Sequence, residues 1–388
     1  MSFVALRMLV GDRARYIGIV FGITFAAMLI TQQVSIFCGL MSRTFGFVSD
    51  TGYPDIWVMD PKVQFIDDIK PLQDTRLLRV RGVEGVDWAV PLYKGLIKAR
   101  LADGTFQTCN VIGLDDASLI GGPPEMVSGR LEDLRRADGV LVDEVGAGDK
   151  LAHEERGPGG KIVKRPLRVG DLVELNDRRA VVVGICRVQR TFQSQPVIYT
   201  TYSRATLYAP RERKLLSFIC VKARPGLSVK ALASRIERDT GLAALSAGEF
   251  SWRTVTYFMK YTGIPINFGI AVALGFLVGT AIAGQTFYQF TADNIRQFGA
   301  LKAMGATNPR LLAMIMLQAL VVGLIGYGLG VGAASGFAVL GRKSELAFLL
   351  LWQTLAVTGV AITLICLLAS LLSIWKVMRL EPAIVFKG

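Results

Sequence analysis

The chain contains a single histidine, His153, and its five cysteines include no CxxC pair. Zinc sites of the usual kind need several such ligands at short spacings, and an HExxH motif needs a second histidine. No Ser/His/Asp set has spacing support around His153 either. The sequence therefore argues against a metal site and against a catalytic site in this chain.

A phosphate-binding P-loop is also missing. No GxxxxGKS or GxxxxGKT motif occurs, and the nearest approach, GAGDK at 146–150, is too short and lacks the hydroxyl residue. P-loops hold nucleotide phosphates with their backbone N–H groups. If ATP drives this protein, a separate subunit must bind it.

Charged residues are few, at 19% of 388, whereas hydrophobic residues make up 52% and the mean hydropathy is +0.42. Soluble proteins usually carry about a quarter charged residues. The formal charge of +13 can indicate a nucleic-acid partner, but Lys and Arg also gather at the inner face of a membrane. The long apolar runs favour a lipid bilayer as the partner of the basic residues, and we expect no nucleic-acid partner.

Four apolar segments are long enough to cross a bilayer, which takes about 20 helical residues. The first is too long for a cleaved signal peptide and has no A-x-A site, so we expect it to be retained. No Asp, Glu, Lys or Arg lies in the middle of any segment, which argues against an ion-coupled transporter. The segments are Tyr16–Met41, Ile264–Phe290, Leu311–Leu340 and Phe348–Val377.

The distribution of Lys and Arg predicts the orientation. Three basic groups fall on one side if the four segments cross in order, and cytoplasmic segments carry the excess of basic residues. Arg342 and Lys343 run against this pattern. We expect a multi-pass protein of the bacterial inner membrane with both termini cytoplasmic; residues 2–14 form either an amphipathic helix on the inner leaflet or a continuation of the first span. The groups are Arg7, Arg13 and Arg15; Arg296, Lys302 and Arg310; and Lys376, Arg379 and Lys387.

Glycines recur at four-residue spacing in three of the segments. Glycine lets helix backbones approach closely in lipid, where packing drives association. The pattern predicts tight helix contacts, either within one chain or between two copies. These glycines are Gly18 and Gly22, Gly275 and Gly279, and Gly326 and Gly330.

The chain divides into residues 1–42, an extracytoplasmic region 43–262, and residues 263–388 with a cytoplasmic loop at 291–310. The middle region alternates strand-like runs with helical stretches around Asp68–Val80 and Leu227–Leu242, which predicts an α+β domain of two lobes, the more β-rich one near 120–190. Glu155–Pro166 predicts a loop or hairpin tip. Cys109, Cys186 and Cys220 form one disulfide or are three buried thiols; the sequence leaves both open.

The loop NIRQFGALKAMGATNPRLLAMIMLQ, Asn294–Gln318, resembles the cytoplasmic segment of FtsX/MacB-type permeases of ABC transporters. The tail MRLEPAIVFKG, Met378–Gly388, is similar to that family's closing segment, and the order of one span, a large outside domain and three spans also fits. The sequence of the outside domain is most similar to that of the DevC-like exporter branch. One position departs, because the family usually has an acid where this chain has Gln297.

The resemblance implies four transmembrane α-helices with a large α+β extracytoplasmic domain between the first and second. It also implies that the loop contacts an ATPase and that the tail contains a family segment at Arg379, Glu381 and Pro382. On the loop we expect Phe298 and Leu301 to contact that ATPase directly. The full set of implied coupling residues is Arg296, Gln297, Phe298, Gly299, Leu301, Lys302, Met304 and Gly305.

The implied function is that of an ABC exporter permease, not an enzyme, which transmits ATPase motion to its outside domain and exports an amphiphilic or lipid-like cargo. This chain would bind no cofactor, since ATP and Mg would sit on the partner ATPase. A second permease copy, a periplasmic membrane fusion protein and an outer-membrane channel are the other expected partners. The alternatives are an FtsX-like regulator of a cell-wall hydrolase and a lipoprotein-extraction permease.

Overall fold

The computed structural model describes residues 2–11, 13–101, 103–156, 162–210, 215–341 and 346–378. It divides into two compact units, one of Met1–Leu40 with Gly263–Gly388 and one of Met41–Thr262. The α-helices are α1 (Ser2–Gly11), α2 (Arg13–Thr51), α3 (Asp74–Arg81), α4 (Glu144–Gly148), α5 (Tyr202–Tyr208), α6 (Val229–Thr240), α7 (Ala247–Tyr261), α8 (Ile264–Asp293), α9 (Ile295–Ala303), α10 (Asn308–Leu340) and α11 (Trp352–Met378).

Helices α2, α8, α10 and α11 are long and apolar enough to cross a membrane. The four spans expected from the sequence are therefore confirmed as helices, with small differences at their ends. The largest difference is in α2, which continues ten residues beyond Met41 to Thr51. It does so because Val48 and the half-buried Phe47 pack with Trp57 in the core of the second unit, so that the helix gains tertiary contacts where its membrane-like composition ends.

The glycines of the helical unit lie at close contacts between helices. A Cβ added at Gly326 would lie 2.6 Å from a methyl carbon of Ile23, and one at Gly330 would lie 2.7 Å from the carbonyl oxygen of Thr24. On α8, a Cβ at Gly279 would lie 2.5 Å from that of Ala26. These contacts are within one chain, and they bring α8 and α10 against α2. Looser contacts occur at Gly18, where the nearest atom is 3.9 Å away, and Gly275, at 3.6 Å; at Gly22 the side chain of Ile282 lies at 2.5 Å.

The second unit is built on one sheet with the strand order β12-β1-β11-β2-β3-β10-β5-β9-β4, and β8 pairs with β2 and β9. Its helices cover the apolar faces; α3 and α6, for example, place Leu77, Val80, Leu232 and Ile236 in one core. The strands are β1 (Ile56–Met59), β2 (Val86–Arg100), β3 (Phe106–Leu114), β4 (Glu125–Ser128), β5 (Gly139–Asp143), β6 (His153–Arg156), β7 (Ile162–Arg165), β8 (Leu172–Leu175), β9 (Arg178–Arg187), β10 (Val197–Thr201), β11 (Phe218–Ala223) and β12 (Ala243–Ser246).

The β-rich part of this unit is not confined to residues 120–190. Strand β2 pairs with β11 from Val86 to Leu92 and with β3 from Tyr93 to Arg100, so it belongs to two half-sheets. The half-sheet that contains β5 and β9 also takes in β3 and β10 from outside the expected range. The sequence interpretation missed this because a long strand shared by two half-sheets has no local signature.

One local expectation also needs correction. The helix expected over Asp68–Val80 begins only at Asp74, because Pro71 disfavours a helical residue before it and Leu72 pairs with Leu216 in an isolated bridge. Within Glu155–Pro166, β6 and β7 form an antiparallel hairpin, and its connection at 157–161 lies outside the described residues. Cys109, Cys186 and Cys220 are buried free thiols.

Candidate coupling surface

The loop between α8 and α10 contains a short helix, α9, joined to α8 by one residue, Asn294. The Asn294 side chain donates from Nδ2 to the Phe290 carbonyl oxygen at 2.8 Å, and its backbone N–H donates to the same oxygen at 3.1 Å. The N–H of Phe298 in turn donates to the Asn294 carbonyl oxygen at 3.0 Å. The chain therefore passes from α8 into α9 through hydrogen-bonded backbone with no free loop.

The end of α9 is closed by a pair of backbone hydrogen bonds around Gly305. The N–H of Gly305 donates to the Lys302 carbonyl at 3.1 Å, and that of Ala306 donates to the Leu301 carbonyl at 3.0 Å. This pattern is the Schellman motif, which needs a left-handed residue at the position of Gly305, where φ is +93°. Leu301 and Ala306 also share an apolar cluster, the contact that usually accompanies the motif. The residues LKAMGA at 301–306 therefore end α9 and lead into α10, which begins at Asn308.

The inner side of α9 packs against two other helices. Phe298 is fully buried, and it contacts a cluster formed by Ala5 of α1 and by Leu311, Met314 and Ile315 of α10. Gly299 is buried beside it. Because Phe298 lies inside this chain, its expected direct contact with an ATPase is wrong for this structure. Its apolar ring instead packs α9 against α1 and α10.

The outer side of α9 and the first turn of α10 form an exposed surface, which we call the coupling surface. It consists of Arg296, Gln297, Met304, Gly305 and residues 307–310, and Met304 is 75% exposed. Leu301 and Lys302 are half-buried at its margin. A surface that combines an exposed methionine with Arg296 and Arg310 can contact both apolar and acidic groups of a partner.

Helix α1 packs against the buried side of α9 through Ala5, a contact that the sequence did not predict. Gln318 of α10, 1% exposed, donates from Nε2 to the Ala5 carbonyl oxygen at 2.8 Å. The buried face of α1 therefore rests on α10. At the neighbouring end of the bundle, Arg15 of α2 forms an ion pair with Asp293 of α8.

Two other sequence-based expectations concern different parts of the chain. The tail residues Arg379, Glu381 and Pro382 lie outside the described residues. Within the described residues, no group of three or more His, Cys, Asp or Glu side chains could hold a metal ion.

Two family models match the chain. The MacB-like periplasmic core domain matches residues 17–239, and the FtsX-like permease C-terminal domain matches residues 244–382. An uncharacterized ABC transporter permease of Mycobacterium tuberculosis is 24% identical over 319 residues, 82% of this chain and 80% of the relative. Another, of Methanocaldococcus jannaschii, is 24% identical over 199 residues, and the alignment spans 48% of this chain and about half, 49%, of that relative's length.

Two solved structures similar to parts of this chain are of isolated domains or regions. The extracellular domain of the ABC-type transporter YknZ from Gram-positive bacteria is 13% identical with a TM-score of 0.34, and it covers 50% of this chain and 99% of its own. The periplasmic region of MacB from Actinobacillus actinomycetemcomitans is 15% identical with a TM-score of 0.37, at 55% and 96% coverage.

Proposed function

Because the chain belongs to the FtsX-like permease family with a MacB-like periplasmic core domain, we propose that it is the membrane subunit of an ABC exporter, driven through the coupling surface by a separate ATPase. The observation that carries the proposal is the two-sided helix α9. Its outer side is exposed and basic, and its inner side is fixed by Phe298 to α1 and α10. ATP and Mg would bind on the partner.

The anchoring of α9 supports a mechanical role. A helix tied to its neighbours by buried side chains moves with them, because close-packed side chains transmit displacement. The Gly305 turn joins α9 to α10 by backbone hydrogen bonds, and the Arg15–Asp293 ion pair joins α2 to α8. A displacement imposed by an ATPase would therefore reach several spans together, and α2 is one unbroken helix from Arg13 to Thr51.

The membrane spans favour transmission of motion over conduction of a solute. The described parts of α8, α10 and α11 carry no acidic or basic residue at mid-span, so a polar solute would find no charged partner there. We therefore propose that the 41–262 unit acts on an amphiphilic or lipid-like cargo on the far side of the inner membrane. A second permease copy, a membrane fusion protein and an outer-membrane channel complete the proposed assembly, whose DevC-like character rests on the sequence resemblance.

The experiment compares two kinds of change in the same short helix. Substitution of Arg296 and Met304 by Glu reverses the charge of the coupling surface, and we expect at least a tenfold loss of affinity for the cognate ATPase, about 1.4 kcal/mol. Thermal stability should not change, because both side chains are exposed. Phe298→Ala should instead lower the stability by about 3–5 kcal/mol.

The matched control is Lys230→Glu, an exposed charge reversal on α6. Co-purification and permease-stimulated ATP hydrolysis are the readouts. Normal association and stimulation after the Arg296/Met304 change would overturn the proposal. Capture of a cell-wall hydrolase in place of an adaptor would favour the regulator function.

A further inference from the structure

Strand β2 carries a lysine whose charged end lies inside the second unit. The side chain of Lys94 is 2% exposed, and its Nζ pairs with Asp67 and lies 5.8 Å from the centre of the Phe47 ring. An ammonium group has three N–H donors. Among the described residues, Asp67 is the one hydrogen-bond acceptor of this group, so donor capacity remains.

Lys94 borders a small cavity. The volume open to the centres of water molecules in it is about 20 Å³. This is enough for one or two waters and too little for a larger organic molecule. The cavity is also lined by Asp50, Asp67, Asn110 and Tyr199. The Asp67 side chain is 45% exposed, so one of the lining carboxylates is also open to solvent.

An unsatisfied acceptor faces the same space. Asn110 of β3 is 3% exposed, and its Oδ1 is a buried oxygen without a hydrogen-bond partner among the described residues. A buried polar atom left in this state destabilises the folded protein, because it has lost its hydrogen bonds to water. Folded proteins commonly satisfy such atoms with an internal water that makes about three hydrogen bonds.

We propose that this cavity is an internal hydration site in which an ordered water accepts from Lys94 Nζ and donates to Asn110 Oδ1. The chemistry selects water among ligands of this size. A halide cannot donate to Asn110, and a metal cation is repelled by the Lys94 ammonium. Water does both, and its second proton can go to a carboxylate oxygen of Asp50 or Asp67.

The hydration site lies where the last turns of α2 meet the sheet. Thr44, Phe47 and Asp50 of α2 line the cavity, and Asp50 accepts from the backbone N–H of Gln189 at 2.8 Å. These last turns are therefore fixed partly by a hydrated charge cluster as well as by the apolar core.

The test is a structure of the full chain in lipid nanodiscs at a resolution that shows ordered water. We expect a peak about 2.7–3.2 Å from both Lys94 Nζ and Asn110 Oδ1. Asn110→Leu should remove the peak, and Asn110→Ser, which keeps an oxygen but frees space, should retain it. An empty cavity, a direct Lys94–Asn110 contact, or an anomalous signal after bromide exchange would each overturn the proposal.

A second measurement uses thermal unfolding. Lys94→Met removes the donor that the water and Asp67 share, and we expect a decrease in Tm of about 2–4 °C. Lys222→Met is the control, because Lys222 pairs with Asp55 at 2.8 Å while 40% of its side chain is exposed. Equal decreases in the two variants would count against a hydrated buried site.

Discussion

The side-chain amide of Gln318 donates a hydrogen bond to the backbone carbonyl of Ala5 at 2.8 Å, and both residues are buried. Gln318 follows Met314 by four residues and Leu311 by seven, so it lies on the face of α10 that also packs against Phe298. The N-terminal helix and the coupling helix are thus held by one face of one span. This relationship makes α1 part of the path by which α9 would move the bundle.

Gln318→Leu should weaken the contact between α1 and α10 without changing the coupling surface. The substitution removes a buried hydrogen bond worth about 1 kcal/mol and leaves the side-chain volume nearly unchanged. We expect normal ATPase binding but less transport per ATP hydrolysed, together with a small decrease in Tm. Gln289→Leu, at an exposed position on α8, is the matched control. If both variants transported normally, α1 would have no role in coupling.

Two glycines of α10 should respond differently to substitution by alanine. Gly330→Ala should destabilise the bundle by about 1–3 kcal/mol, because its new Cβ would lie 2.5 Å from that of Ala27. Gly332→Ala, two residues further on, meets nothing within 4 Å and should be neutral or stabilise the helix by about 0.5–1 kcal/mol. Thermal unfolding in detergent measures both. Equal effects would show that these helices are not in contact as the structure describes.

Alkaline pH should destabilise the second unit through its thiols. Burial, reinforced by Asp143, raises the pKa of Cys109 to about 12, and burial also raises the pKa values of Cys186 and Cys220. The unfolded thiols lose their protons first, so the unfolded state binds fewer protons and stability decreases as pH rises from about 8.5 toward 12. The slope is about 1.4 kcal/mol per pH unit for each thiol.

Replacing one thiol isolates its contribution. Cys109→Val should make the stability of the folded chain less dependent on pH between about 9 and 11, as followed by urea unfolding at each pH. An unchanged slope would show that Cys109 ionises equally in the folded and unfolded chains.

The orientation of the chain can be tested by labelling. Lys230→Cys places a thiol on exposed α6, and Met304→Cys places one on the coupling surface. In cells with a permeabilised outer membrane, an impermeant maleimide should react with the first and not with the second until the inner membrane is opened. The reverse pattern would invert the proposed topology. Cys109, Cys186, Cys220 and Cys366 are buried, and labelling of the unsubstituted chain measures the background from half-buried Cys38.

Most of the fold was predictable because its signals are local. Apolar run length predicted the four spans, and strand-like runs between helical stretches predicted the α+β domain. The missed helix α7 did have a signal, a capping box in which Ser246 and Glu249 bond reciprocally, followed by buried Phe250, Thr254 and Phe258 at helical spacing.

The parts that failed depend on contacts between distant residues. Nothing around Phe298 indicates whether its ring faces a partner or Ala5, almost 300 positions earlier, since both need an apolar side chain. The extension of α2 through Phe47 and Val48 likewise depends on Trp57 in the domain core. Gly305 was predictable as a helix end, because a glycine after an apolar-spaced run is typical of one.

That glycine implies unequal mutational tolerance along a few neighbouring positions. At Gly305 the positive φ disfavours residues with a Cβ, Asn less than the others, whereas Ala303, two positions earlier, is exposed and helical and can accept most side chains. A saturation library across 301–306, scored by the amount of folded protein in the membrane, should therefore recover clearly fewer variants at Gly305 than at Ala303.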